Sequence, residues 1–144
     1  MTSLLKSTTA AVVATLAMLG SSQAQENPIR IGVVTPLSGT YAPIGQQVRW
    51  GLELATKEVN EAGGIMGRQV ELLFEDSEAN PATAVQRAER LIEAENVDFI
   101  TGTVNSGATL AAGQLAERSG KLLATTVSFA DSITGTQCSP NVFR

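Results

Sequence analysis

The segment from Arg30 to Thr35 is apolar at its centre (Ile31, Val33, Val34) and lacks the alternation of a strand with one wet face. Such a run predicts a parallel strand buried on both sides, and Pro36, which has no N–H for a ladder, ends it. From Gly45 the pattern changes. Val48, Leu52, Ala55 and Val59 recur at helical spacing, with Arg49, Glu53, Lys57, Glu58 and Asn60 on the other side. This predicts an amphipathic helix with one buried face, stopped by Gly63-Gly64. Gln69–Glu75 reads as a second strand. Asn80-Pro81 opens a second helix, with Pro at a tolerated first-turn position and a buried face of Ala84, Ala88, Leu91 and Ile92. Val97–Gly102 reads as a third strand and Ser106–Ser119 as an Ala-rich third helix ended by Gly120. Lys121–Thr126 reads as a fourth strand, Val127–Pro140 as a polar loop or turn segment, and Ser139–Arg144 as the start of another strand.

Strands alternating with helices predict an α/β fold. Its expected form is an open parallel sheet with helices on both faces and right-handed crossovers. In such sheets the loops after the carboxyl ends of the strands gather at one edge, where ligands bind. Here those loops are Pro36–Gly45, Asp76–Asn80, Thr103–Gly107 and Val127–Asp131. Three of the four are small and polar, suited to offer hydroxyl and backbone N–H groups to a small polar ligand.

Composition narrows the chemistry. The chain has no His, which removes the commonest general base and metal ligand. Gly39 and Gly45 fit neither the dinucleotide fingerprint nor the phosphate-binding loop, and Thr35-Pro36 stands where a phosphoacceptor domain would carry an acidic pair. Ser106 has no His to activate it and Cys138 has no evident activator, so nucleophilic catalysis has no support. The expectation is binding without catalysis, with no cofactor and no metal. Lys6, the apolar stretch Ala10–Leu19 and the small-residue site Ser22-Gln23-Ala24 predict a secretory signal peptide cleaved after Ala24. Its removal takes Lys6 away, so the net charge moves from −4 to −5. That acidic balance, with no basic cluster, disfavours nucleic acid as a partner. Cys138 is the only Cys, and in an exported protein it suggests a partner on another chain, a free thiol, or a partner outside this sequence.

The sharpest candidate is Asn105-Ser106-Gly107 at the start of the third helix. Free N–H groups and the partial positive charge of a helix N-terminus favour anions, carboxylates included. Ser106 is placed to hydrogen-bond a carboxylate and Gly107 to admit its close approach. The alternative is that Asn105 or Ser106 is only an N-cap; the two roles are compatible. Tyr41, one of six aromatic residues, either walls a ligand or covers its own loop. Val127, Ser128 and Phe129, after the fourth strand, pose the same choice.

With these residues in view, the sequence resembles the periplasmic solute-binding proteins of branched-chain amino acid type ABC transporters, which have the type I periplasmic-binding-protein fold. The resemblance runs from about Ile29 to Arg144. It rests on IGVVTPLSGTYAPIG, EVNEAGGIMGRQVELLFED, ANPATAVQRAERLI and TGTVNSGAT, in that order and spacing. It implies a two-lobed protein that closes on a ligand, acts as a monomer when full length, and delivers the ligand to a membrane permease from the periplasm. Residues 25–144 would be its N-terminal lobe, with the second lobe absent from this sequence. The resemblance also implies that Ser106 and its neighbouring N–H groups hold a ligand carboxylate. Where amino-acid-binding relatives often carry Gly-Ala-Thr, this chain has Val127-Ser128-Phe129. Phe129 stands in place of the Thr that helps hold an ammonium, with Ser128 as a partial substitute. Expected ligands are amino acids, amides and small carboxylates, aromatic ones included. Some relatives pair the Cys matching Cys138 with one further along the chain, which implies a disulfide partner outside this segment. Two rival expectations are a sensory or regulatory module of the same fold and, more remotely, a truncated α/β enzyme.

Overall fold

The computed structural model describes residues 27–144, so the expected signal peptide lies outside the described residues. The elements follow in the order β1 (Ile29–Thr35), α1 (Ala42–Glu61), β2 (Val70–Asp76), α2 (Pro81–Glu93), β3 (Phe99–Thr101), α3 (Ser106–Arg118), β4 (Leu122–Ala124) and β5 (Val142–Phe143). A single 3-10 turn, Asp131–Ile133, lies between β4 and β5. The five strands form one sheet in the order β2-β1-β3-β4-β5, with every pairing parallel.

Right-handed crossovers dictate where the helices go. The chain steps one way from β1 to β2 and the other way from β2 to β3 and onward, so α1 lies on one face and α2 and α3 on the other. The α2–α3 face holds the core. Val34, Ile100 and Leu123 point into it from β1, β3 and β4 and meet Ala84, Ala88 and Leu91 of α2 and Ala108, Ala112, Leu115 and Ala116 of α3. The small residues of both helices allow close packing. Ile92 is only partly buried at the margin of this cluster.

On the opposite face α1 crosses only β2 and β1. Arg49 lies 4.9 Å above the Phe74 ring, and Asn60 brackets Val70, donating to its carbonyl (2.9 Å) and accepting from its N–H (2.7 Å). This placement corrects the helical face read from the sequence. Val48, Leu52 and Val59 are half-buried, but Ala55 is exposed, because among the described residues α1 packs mainly on β2 and β1. Leu122 and Phe143, on the same face of β4 and β5, are 49% and 55% exposed for the same reason.

The helix also begins earlier than Gly45, at Ala42, with Pro43 in its first turn. Proline at that position forfeits no helical hydrogen bond. Gly45 remains necessary in another way: a Cβ there would lie 1.7 Å from the Pro36 carbonyl oxygen. The start of α1 is thereby pressed against the end of β1.

Candidate functional site

The strand order places the topological switch between β1 and β3, since the chain leaves these neighbours in opposite directions. At such a point the two following loops diverge and open a crevice. The loops are Pro36–Tyr41 and Gly102–Asn105. Gly102 begins the second with φ of +93°, and a Cβ there would meet Val33 Cγ1 at 2.7 Å. Only glycine lets β3 turn this close to β1.

Asn105 is the N-cap of α3, its side chain accepting from the Ala108 N–H at 3.1 Å. This settles the capping question left open by the sequence and frees Ser106 for other partners. The Ser106 hydroxyl oxygen accepts two backbone N–H groups of the loop after β4, those of Phe129 and Ala130, each at 3.2 Å. The N–H groups of Ser106 and Gly107 have no acceptor among the described residues. Gly107 is exposed, and so is Phe129, at 81%. The start of α3 thus presents two free donors and one hydroxyl proton beside an exposed aromatic ring.

Beneath this edge lies a layer of hydroxyls that sequence reasoning did not single out. Thr109 donates to Thr103 (2.9 Å), Thr103 to Thr125 (3.1 Å) and Thr125 to the Thr103 carbonyl (2.9 Å). Ser128 joins through Thr109 and the Val104 carbonyl. Its hydroxyl is bonded to these inner groups, and the residue is 4% exposed. Ser128 ties the loop after β4 to the loop after β3. The recurring Thr residues in TGTVNSGAT were a visible signal, but their convergence depends on β3 and β4 pairing.

The remaining sequence candidates spread along the edge. Tyr41 is the N-cap of α1, 45% exposed, with no capping bond from its side chain. Val127 lines an open groove of about 430 Å³ with Ile44, Val48 and Leu52 of α1. Cys138 is exposed and unpaired. At the end of β2, outside those candidates, Glu75 is held by Arg87 (3.5 Å) and Arg90 (3.1 Å). Asp76 accepts from the N–H groups of Leu37 and Glu78, each at 2.8 Å. Burial alone would raise the Asp76 pKa, but the Ser38 hydroxyl and the N–H groups of Glu78, Leu37 and Ser38 outweigh it and hold the carboxyl below its ordinary value. Both carboxylates thus serve the frame. Among the described residues no three His, Cys, Asp or Glu side chains gather as metal ligands would.

Fold and edge together define an open α/β lobe that offers hydrogen-bond donors at the carboxyl ends of its strands. Residues 28–144 match the family model described as periplasmic binding protein, and the chain belongs to that family. It is 33% identical over 132 residues to Leu/Ile/Val-binding protein homolog 3 of Brucella melitensis, covering 92% of this chain and 35% of the relative. Among solved structures, it is similar to the branched-chain amino acid transporter substrate binding protein LivJ of Streptococcus pneumoniae in complex with isoleucine. There the TM-score is 0.75 and the identity 33%, over 81% of this chain and 33% of that one. A solute binding protein of an ABC transporter from R. palustris, in complex with benzoate, gives a TM-score of 0.73 and 36% identity, over 81% and 32%. The chain thus spans about a third of the length of these proteins.

Proposed function

We propose that this chain forms the N-terminal lobe of the substrate-binding component of an ABC importer. It captures a small carboxylate-bearing solute in a cleft between two lobes and passes it to a membrane permease, without chemical turnover. The observation that carries this reading is the cluster of free donors at the start of α3: the N–H groups of Ser106 and Gly107 and the hydroxyl proton of Ser106. A carboxylate accepts several such bonds at once, and the helix N-terminus favours its charge. Isoleucine and benzoate, the ligands of two similar proteins, share a carboxylate on an apolar body and little else, which supports the same chemistry here. Tyr41 and the exposed ring of Phe129 supply apolar surface for that body. The family supports a periplasmic location, and the sequence of residues 1–24 supports export by a cleaved signal.

The test is a thermal-shift screen of the full-length mature protein against amino acids, aromatic acids and the amides of both. Acids should raise the melting temperature and their primary amides should not. Equal stabilisation by acid and amide would contradict a carboxylate-holding edge.

A further inference from the structure

We propose that Arg144, at the far end of β5, is a positioning residue that fixes the hydrogen-bond polarity of Ser106. The inference rests on the reading of Ser106 as a carboxylate holder and identifies what makes it one. A serine hydroxyl has one proton to donate and two lone pairs to accept with. In Ser106 both lone pairs are engaged by the N–H groups of Phe129 and Ala130. Only the proton remains. The side chain can therefore donate to a carboxylate but cannot accept from an ammonium or an amide N–H, so its selectivity is set by the loop that caps it.

Ser128 anchors the start of that loop through Thr109 and the Val104 carbonyl, and Phe129 follows it outside the hydroxyl layer. Phe129 is 81% exposed and supplies little packing, and the next buried apolar residue after it is Ile133, 1% exposed, in the turn that follows. On its carbonyl side Phe129 is tied by Arg144, whose Nη1 donates to the Phe129 carbonyl at 2.9 Å and lies 3.5 Å from Asp131 Oδ1. Asp131 is fully exposed, so the ion pair contributes little. The charge-assisted bond to the carbonyl is the stronger of the two. Phe129 is thus held from both sides, its N–H on Ser106 and its carbonyl on Arg144. Releasing the carbonyl lets Phe129 and Ala130 swing about the Ser128 anchor, returns an accepting lone pair to Ser106, and erodes the preference for an acid over its amide.

The experiment is calorimetric titration of the full-length protein and its Ser106→Ala, Arg144→Gln and Arg144→Lys variants. Isoleucine and benzoate are the probes, each against its primary amide. Arg144→Gln should cut the acid-to-amide affinity ratio by about tenfold, the order of one hydrogen bond to a charged group. Arg144→Lys, which keeps a charged donor, should retain most of it. A general loss of folding would lower both affinities together, so an unchanged ratio in Arg144→Gln overturns the inference while leaving Ser106 its role. Unchanged acid affinity in Ser106→Ala overturns the underlying reading itself.

Discussion

Asp76 shows how one side chain sets the shape of the edge. It closes β2 opposite Thr35 and gathers the N–H groups of Leu37 and Glu78 on one oxygen. The loops after β1 and β2 are thereby fixed to each other. Because those bonds hold its pKa below the ordinary value, its contribution to stability is present above the unfolded-state pKa of about 3.9 and is lost as pH falls through the lower folded value. Asp76→Ala should cost about 2 kcal/mol at neutral pH, the order for hydrogen bonds to a charged group. The deficit should shrink as the pH is lowered through and below about 4. Denaturant unfolding of both proteins across that range measures it, and parallel stability curves would contradict the assignment. In the sequence Asp76 is only the first residue of the loop after the second strand, with no role assigned to it. An Asp at a strand end reads alike as a ligand group or a loop clasp, and only the position of Leu37 decides.

Helix α3 carries the candidate site on its first turn and meets β5 where Gly113 faces Val142. That approach needs Gly113, where a Cβ would lie 2.6 Å from Val142 Cγ2. Valine is stiff at χ1 and cannot swing clear. Gly113→Ala should therefore lose about 1–3 kcal/mol through overpacking, even though Ala favours a helix over Gly. The Cβ of Val142 itself is 3.9 Å away, so adding Val142→Ala should recover part of the loss. A double-mutant cycle with no coupling would show that helix and strand do not meet as described. The existence and order of these elements were legible from periodicity, and so were Asn80 and the Ala face of α2. The start of α1 was not, because Ala42-Pro43 reads as loop until Pro43 is seen in the first turn. Nor was the exposure of Ala55, since a stripe on a helix does not say how much sheet lies beneath it. Arg144 carried no signal at all; its partner Phe129 is brought to it by the pairing of β4 with β5.

Across the described residues, one strand order accounts for both the location of the proposed site and its openness. The β1–β3 switch brings the loops of Tyr41 and Ser106 to one edge, and the β3–β4 pairing brings Phe129 onto Ser106. The resulting surface is rich in donors on one side and aromatic on the other. Relatives about three times as long supply the context in which we propose that a second lobe closes over it. The hydroxyl layer of Thr103, Thr109, Thr125 and Ser128 keeps the two loops in register beneath. The central claim is that this edge holds a carboxylate. Its most direct test is a crystal structure of the full-length protein with the acid that stabilises it most. The carboxylate should lie within hydrogen-bond distance of Ser106 Oγ and the Gly107 N–H, with the body of the ligand against Phe129. A carboxylate bound elsewhere, with Ser106 and Gly107 left to water, would contradict the account.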